Sequence, residues 1–235
     1  MRRVFGFGDS ILKGVVLSDG PAMRYERLPE GFLERGLRPR GFDVYNHARF
    51  GSTIRTGMEV FGRHLHSVTS GDVVVLEFGG NDCDFPWSAI GENPDYPKTP
   101  FTSLPEFSRI YKCIIGDCRE RGALPVILSL PPLVPQRFYD FVTRDLPAEG
   151  KANVLRWMCG NTDFVGNWHE QFNLEVFRLA REMDVPLIDI TTPLLVRQDY
   201  FSFICRDGIH PNDEGHSLMA DALRKQWSGQ PGAVL

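Results

Sequence analysis

The chain lacks the features that mark several large classes of protein. Its apolar runs are all shorter than the roughly 18 residues that a membrane-spanning helix requires. With 26 Lys and Arg against 30 Asp and Glu, the formal net charge is −4, which gives no electrostatic case for nucleic acid or an anionic membrane surface. Internal repeats and low-complexity linkers are also missing. We therefore expect no nucleic-acid partner and no stable membrane association, and the oligomeric state stays open.

The cysteines show no metal-binding pattern. The five cysteines are Cys83, Cys113, Cys118, Cys159 and Cys205. No two of them form a C-x-x-C pair, and an odd number without metal-ligand spacing favours reduced thiols. His64 and His66 lie two residues apart in a predicted helix and therefore on different faces, which argues against a pair of metal ligands. We expect no bound metal, and Cys83, directly after Asn81 and Asp82, either lines a site or packs in the core.

Two further signatures are missing near the first residues. After two arginines, the apolar run from Val4 to Gly8 is shorter than the core of a secretory signal peptide, so we expect a cytoplasmic protein. The segment Gly6-Phe7-Gly8 resembles the start of a dinucleotide-binding turn, but Ile11 stands where the third glycine is needed. No G-K-[ST] sequence is present either. We therefore expect no cofactor.

Short apolar runs alternate along the chain with segments of helical periodicity. Five runs are predicted to be strands: Val4–Phe7, Phe42–Asn46, Val73–Phe78, Leu124–Leu130 and Pro186–Ile190. The runs are continuous, as expected for strands that are covered on both faces. Alternating strands and helices indicate an α/β fold with a parallel sheet, and 235 residues are compatible with one domain over residues 1–235.

Apolar stripes predict the helices between these strands. One stripe runs from Ile54 to Val68, and a second helix begins at Ser103 with the capping-box pattern that ends at Glu106. Further stripes run over residues 172–183 and from Asn212 to about residue 227, and a weaker helix is predicted over residues 24–35.

Two long connections are rich in aromatic residues and proline. They run from Phe85 to Thr102 and from Pro131 to Trp168, and each follows the carboxyl end of a predicted strand. Ligands of open α/β sheets bind at that edge, and long loops there are usually functional. We therefore predict that both are loops near the site and that Phe85, Trp87, Trp157 and Trp168 contact the substrate. Packing beneath the loops is the alternative for each.

Ser10 directly follows the first predicted strand, in a Gly-Asp-Ser turn. A serine hydroxyl is a weak nucleophile unless a base takes its proton and a third group orients that base. Asp207 and His210, three residues apart beyond the last strand, can orient and accept in this way. Taken alone, Ser10 fits a helix N-cap at least as well, and the pair Asp207 and His210 favours the nucleophile.

Two other positions can donate hydrogen bonds to a developing oxyanion. Gly51 lets the main chain approach a reacting carbonyl closely, and the Asn81 side-chain amide follows a buried strand at the same edge. Asp82 is expected to brace its loop rather than act as the base. Together with Asp9, Asp82 is also expected to contact the substrate. A turn residue is the simpler alternative for Gly51.

Together these segments resemble the four conserved blocks of the SGNH/GDSL hydrolases, from residue 4 to about residue 225. The segments are Gly8-Asp9-Ser10, Gly51, Gly79-Gly80-Asn81-Asp82 and Asp207-Gly208-Ile209-His210-Pro211-Asn212. The resemblance implies a flavodoxin-like three-layer α/β/α sandwich with a five-stranded parallel sheet. It implies Ser10 as nucleophile and Asp207 and His210 as its triad partners. The implied oxyanion hole consists of the Ser10 main-chain N–H, Gly51 and Asn81.

The resulting hypothesis is a serine esterase that acts through an acyl-serine intermediate. We expect a short-acyl or acetyl ester of a small molecule or carbohydrate as substrate. An acyltransferase that uses the same site, a lipase or thioesterase for longer acyl chains, and a catalytically silent binding protein are the alternatives.

Overall fold

A computed structural model describes residues 2–18, 20, 23–230 and 233–234. The elements in chain order are β1 (Arg2–Gly8), β2 (Val15–Leu17), β3 (Tyr25–Arg27), α1 (Phe32–Leu37), β4 (Phe42–Asn46), α2 (Ile54–His64), β5 (Val73–Glu77), α3 (Trp87–Glu92), α4 (Leu104–Glu120), β6 (Leu124–Leu128), α5 (Pro135–Val142), α6 (Ala148–Trp157), α7 (Asp163–Glu182), β7 (Leu187–Ile188), α8 (Thr192–Leu195), α9 (Asp213–Gln226), β8 (Trp227–Gln230) and β9 (Ala233–Val234). Short 3₁₀ helices cover Arg38–Arg40, Leu65–Ser67 and Tyr200–Phe203. The predicted domain, residues 1–235, extends beyond the described residues at both ends.

Five parallel strands form the central sheet in the order β4-β1-β5-β6-β7. All five correspond to predicted strands, so the predicted α/β fold with a five-stranded parallel sheet is confirmed. Strand β1 lies between β4 and β5, with Val4 opposite Val44 on one side and Val73 on the other. This register brings the carboxyl ends of β1 and β5 side by side.

Helices cover both faces of the sheet and produce three layers. Phe5 and Phe7 of β1 point to one face, where they pack with the buried sides of α2, α4 and α7. Val4 points to the other face, where α1 and α9 pack. Because successive side chains of a strand alternate between faces, one apolar strand supplies both cores.

A third hydrophobic cluster lies outside the sheet and contains residues of both aromatic connections. We call it the cap, and it includes α3, α5, α6 and the first turn of α7. Residues 85–102 and 131–168 were predicted as long loops, and the structure places helices in both. The prolines that suggested loops are compatible with helix starts, because Pro135 is the first residue of α5, where no N–H is required.

Two local predictions are wrong. The segment 24–35 was predicted as a helix, but β3 pairs with β2 in an antiparallel hairpin and α1 begins only at Phe32. At the start of α4 the Ser103 side chain makes no capping hydrogen bond. Glu106 instead accepts a hydrogen bond from Arg55 Nε at 2.8 Å, because a guanidinium is a stronger donor than a main-chain amide.

In the part of the chain that the structure describes, no helix has the length and apolar character needed to cross a membrane.

Candidate active site

Ser10 lies in a tight turn at the carboxyl end of β1. Gly8 is required there, since a Cβ atom would lie 2.6 Å from the Glu77 carbonyl oxygen. The chain continues as a turn and then as β2, with Val15 N–H donating to the Ser10 carbonyl at 2.9 Å. Ser10 therefore caps no α-helix, and its hydroxyl is available for another contact.

The Ser10 hydroxyl contacts His210, which in turn contacts Asp207. Ser10 Oγ lies 2.8 Å from His210 Nε2, and His210 Nδ1 lies 2.6 Å from Asp207 Oδ2. The other oxygen of Asp207 accepts the main-chain N–H groups of Ile209 and His210 at 3.0 and 3.1 Å. All three side chains are buried, with 5% or less of each residue exposed. The fold brings Ser10 and His210 into contact although they lie 200 residues apart in the sequence.

Asp207 is held in its charged form despite its burial. Burial alone would raise the pKa of this carboxyl, but the hydrogen bond and charge of His210 and the two amide donors lower the pKa below its usual value. An ionised Asp207 accepts from Nδ1–H, so that Nε2 of the same ring carries the lone pair that faces Ser10.

The backbone around His210 is fixed by contacts with α5 and α9. Gly208 has a φ of +75°, and a Cβ atom would lie 2.5 Å from Phe138 N and 2.6 Å from the Val134 carbonyl oxygen. Val134 N–H donates to the Gly208 carbonyl at 2.9 Å. Asn212 ends the turn as the N-cap of α9, accepting from Gly215 N–H at 2.9 Å. The Asp-Gly-Ile-His-Pro-Asn sequence therefore supplies a glycine that lets the turn pack closely against α5, the imidazole, and the N-cap of α9.

The predicted oxyanion donors line the same cavity as Ser10. Gly51 follows β4 with a φ of +69° and lines the cavity, as do Gly80 and Asn81. The Asn81 amide donates one hydrogen bond to Asp9 Oδ2 at 3.0 Å, and its second N–H has no partner among the described residues. Asp9 also lines the cavity, although only 1% of the residue is exposed.

Asp82, which was expected to contact the substrate, does not line the cavity. It is fully buried, and both of its carboxyl oxygens lie 3.0 Å from the Ile54 N–H at the start of α2. Burial raises the pKa of Asp82 to about 7, against the hydrogen bonds from Thr102 and Ile54. Its position is that of a loop brace, which is the role the sequence favoured.

The cavity beside Ser10 has a volume of about 220 Å³ and mostly apolar walls. Phe85, Trp87 and Trp168 line it, and their contact with the substrate stays a prediction. Trp157 does not: it packs behind the first two, with ring centroids 4.8 Å from Phe85 and 5.8 Å from Trp87. Its Nε1–H donates to the Tyr96 carbonyl at 2.7 Å, so this tryptophan faces the interior of the cap.

Several cavity residues were missed by sequence reasoning. Tyr25 of β3 and Phe50 flank His210, with ring centroids 5.0 and 6.1 Å from the imidazole. Partial burial, followed by the charge of Asp207 and a hydrogen bond to it, raises the pKa of Tyr25 well above its usual value, so its hydroxyl stays protonated beside the carboxylate. The incorrect helix over residues 24–35 hid Tyr25, whereas the position of Phe50 next to Gly51 was a usable signal.

His169 was also missed, although it directly follows Trp168. It is 4% exposed, lines the cavity and has no hydrogen-bond partner among the described residues. Burial lowers its pKa to about 4, so the ring is neutral near pH 7. A neutral imidazole offers one donor and one acceptor. His169 is therefore a polar group in the lining of a cavity whose walls are mostly apolar.

Cys83 borders the cavity but is a poor nucleophile. Burial, then the charges of Asp84 and Asp82, raise the pKa of its thiol well above the usual value. Its Sγ–H donates to the Gly80 carbonyl at 3.2 Å. Because the thiolate is the reactive form, this cysteine is inert under ordinary conditions.

Within the described ranges, no group of three or more His, Cys, Asp or Glu side chains converges in a way that could hold a metal ion.

A parallel α/β sheet with a buried Ser–His–Asp hydrogen-bonded series at the carboxyl ends of its strands defines the class of serine hydrolases. The sequence model of the GDSL-like Lipase/Acylhydrolase family matches residues 7–218. The chain belongs to this family and is an ester-hydrolysing enzyme. No curated protein matches it in sequence.

Solved structures share the fold at low sequence identity. A lipase/acylhydrolase from Enterococcus faecalis is 17% identical with a TM-score of 0.67, covering 97% of this chain and 96% of its own. A lipolytic protein of the G-D-S-L family from Veillonella parvula is 16% identical with a TM-score of 0.63, over 98% and 100% of the two chains. An acetyl-xylooligosaccharide esterase from Geobacillus, crystallised as a mutant, is 15% identical with a TM-score of 0.63, over 97% and 94%.

Proposed function

We propose that this protein is a serine esterase in which Ser10 forms an acyl-enzyme. The observation that carries the proposal is the hydrogen-bonded series from Ser10 through His210 to Asp207, with distances of 2.8 and 2.6 Å. His210 Nε2 takes the Ser10 proton as Oγ bonds to the ester carbonyl carbon. The Ser10 main-chain N–H, Gly51 and Asn81 donate to the oxyanion that forms.

The intermediate then collapses and the alcohol leaves with the proton held by His210. Water attacks the acyl-serine, His210 takes the proton of that water, and the acid departs as Oγ is protonated again. Asp207 stays ionised throughout and stabilises the imidazolium in both steps. No cofactor takes part in this proposal.

We further propose a short-acyl ester, with an acetyl ester of a small molecule or carbohydrate as the main candidate. The cap closes the cavity with bulky aromatic side chains, which suit a small group better than a long chain. His169 can hydrogen-bond to a hydroxyl group because it has both a donor and an acceptor free. The structural similarity to an acetyl-xylooligosaccharide esterase supports the same substrate class.

Hydrolysis of p-nitrophenyl esters from acetyl to decanoyl, beside acetylated sugars, tests this substrate class. We expect kcat/KM to be highest for acetyl and other short acyl groups. A steady rise in kcat/KM out to decanoyl would exclude the proposal in favour of a lipase or long-chain thioesterase. Product analysis with added alcohols separates hydrolysis from acyl transfer, because only a transferase forms the new ester.

His169→Leu tests whether a hydroxyl group is recognised. The variant should lose about 10- to 100-fold in kcat/KM for an acetylated sugar and keep its kcat/KM for p-nitrophenyl acetate, because only the sugar offers hydroxyl groups to the imidazole. An equal loss for both esters would assign His169 to packing.

We also propose that the enzyme acts on a soluble ester in the cytoplasm. None of its five cysteines, all within the described residues, forms a disulfide, and the net charge of −4 does not favour anionic membranes. Fractionation of the source cells checks the location, and recovery in the membrane or secreted fraction would contradict it.

A further inference from the structure

Two carboxyl groups are buried in contact directly behind Ser10. Glu77 is the last residue of β5 and pairs with Gly8 in register, which places it beside Asp9. Glu77 is 0% exposed and Asp9 is 1% exposed. The Asp9 main-chain N–H donates to Glu77 Oε2 at 3.5 Å, Glu77 Oε1 has no hydrogen-bond partner among the described residues, and the charge of Asp9 acts on Glu77 to raise its pKa. The proposed mechanism does not use Glu77.

Such a pair cannot carry two negative charges without compensation. Among the described residues, no Lys or Arg forms an ion pair with either carboxyl. A hydrogen bond between two carboxyl groups requires a proton on one of them. The other titratable groups that influence this region are the Tyr111 hydroxyl from α4, Asp82 and Cys83 after β5, and His210.

Glu77 is the better holder of that proton. Burial, then the charge of Asp9, raise the pKa of Glu77 well above its usual value. Burial also raises the pKa of Asp9, but the Ile11 amide, Glu77, His210 and Asn81 all act to lower it. The Asp9 and Leu12 amides act to lower the pKa of Glu77 but do not offset its burial, so Glu77 is the neutral donor.

Asp9 also holds the Asn81 side chain in place through a hydrogen bond. One Asp9 oxygen accepts the Ile11 N–H at 2.8 Å, and the other accepts Asn81 Nδ2 at 3.0 Å. Gly80 is tightly placed as well, since a Cβ atom there would lie 3.3 Å from Asp9 Oδ2. Because a carboxylate only accepts, Asp9 selects the amide orientation in which Nδ2, rather than Oδ1, faces its carboxylate.

We propose that Glu77 is a positioning residue for ester hydrolysis: its protonated carboxyl donates to Asp9, and Asp9 in turn fixes the Asn81 amide as an oxyanion donor. This inference rests on the proposed function, in which Asn81 stabilises the oxyanion. Loss of the proton would place two negative charges behind the developing oxyanion. Loss of the carboxyl would leave Asp9 with the Ile11 and Asn81 donors but without the one from Glu77.

Two variants of Glu77 separate these effects. Glu77→Gln keeps a donor of the same shape that cannot ionise, and Glu77→Leu removes the donor but fills the space. With p-nitrophenyl acetate near pH 7, Glu77→Gln should retain kcat within about threefold. Glu77→Leu should lower kcat about tenfold with KM little changed, less than the 10²–10³ expected when a whole oxyanion donor is removed.

A double-mutant cycle shows whether the effect acts through Asn81. In an Asn81→Ala background, Glu77→Leu should cost almost nothing further in kcat, because the group that it positions is already absent. Additive losses, or a Glu77→Leu enzyme with wild-type kcat, would overturn the inference.

The pH profile gives a second readout that does not depend on the folding of Glu77→Leu. The protonated pair is the active form, so wild-type kcat should fall at high pH as the shared proton is lost, and Glu77→Gln should fall less. Identical high-pH profiles would also overturn the inference. Ser10→Ala keeps the two proposals apart: activity in that variant removes the proposed function, whereas an inactive Ser10→Ala with an unaffected Glu77→Leu removes only this inference.

Discussion

Ser10 carries the reaction at the scale of a single residue. Ser10→Ala deletes one oxygen atom from a turn whose main-chain hydrogen bonds do not involve the side chain. We therefore expect an unchanged melting temperature and a loss of ester turnover by a factor of about 10⁴ or more. Steady-state kinetics with p-nitrophenyl acetate and thermal denaturation measure the two quantities. A folded Ser10→Ala protein with wild-type kcat would refute the assignment of the nucleophile.

Asn81 offers a test of transition-state stabilisation. Asn81→Ala should lower kcat by about 10²–10³, or about 2.7–4 kcal/mol, while KM changes little, since the oxyanion exists only after attack. Asn81→Asp should be at least as harmful, because it places a second carboxyl against Asp9. If Asn81 only braces its loop, the melting temperature falls and kcat per folded molecule stays within a few-fold of wild type.

At the scale of elements, the turn after residue 205 is fitted against α5. Gly208→Ala should destabilise the protein and displace His210, because the new Cβ atom would meet the backbone of Val134 and Phe138. Gly41→Ala is the matched control: Gly41 also has a positive φ, of +82°, but no atom lies within 4 Å of its added Cβ.

Both glycine variants should lose about 1 kcal/mol of the free energy of unfolding, because alanine is disfavoured in the left-handed backbone region. This loss corresponds to roughly 2–4 °C in melting temperature. Gly208→Ala should lose about 1–3 kcal/mol more, from the steric clash, together with most of its kcat. Equal melting temperatures and full activity in both variants would show that the turn at Gly208 accommodates a Cβ atom without loss of stability or activity.

The start of α2 depends on Asp82, whose pKa is raised to about 7 by burial. The carboxyl of an unfolded chain titrates near 4, so between about pH 4 and pH 7 the folded state binds more protons than the unfolded state. Stability therefore falls as pH rises through this range. Asp82→Asn, which keeps an oxygen for the Ile54 N–H, should reduce this pH dependence in urea denaturation. An unchanged slope would show that Asp82 is ionised when folded.

For the molecule as a whole, the sheet and the positions of the reactive residues were predictable because their signals are local. Continuous apolar runs marked the five strands, and the turns that carry Ser10, Asn81 and His210 follow from Gly, Asp and Asn at fixed spacing. The roles of Ser10, Asp207, His210, Gly51 and Asn81 remain predictions, although the fold brings them to one cavity.

The hairpin and the cap could not be predicted in the same way. Strands of three residues, such as β2 and β3, are too short to show a period, and β3 is exposed throughout. Proline-rich sequence in the cap resembled loop, and periodicity does not distinguish an aromatic residue that faces the cavity, such as Trp87, from one that faces the interior, such as Trp157.

Whole-molecule dynamics should follow the division into clusters. We expect amide hydrogens of α3, α5 and α6 to exchange faster than those of β1 and β5, because the cap has its own small cluster outside the sheet. Hydrogen exchange with mass spectrometry measures both regions, before and after Ser10 is labelled by an organophosphonate. The label should slow exchange in the cap, and uniform protection across cap and sheet would contradict this expectation.

The cap is a hydrophobic cluster separate from the two that cover the sheet, and this separation affects how the substrate preference of the enzyme can be changed. The groups proposed to react, Ser10, Asp207 and His210, lie on turns at the sheet, whereas Phe85, Trp87, Phe138 and Trp168, which surround the substrate space, belong to or pack against the cap cluster. Reactivity and choice of substrate are therefore encoded by largely different stretches of sequence. A library of variants at cap positions alone can therefore change the preference for acyl and alcohol groups while Ser10, Asp207 and His210 are kept unchanged.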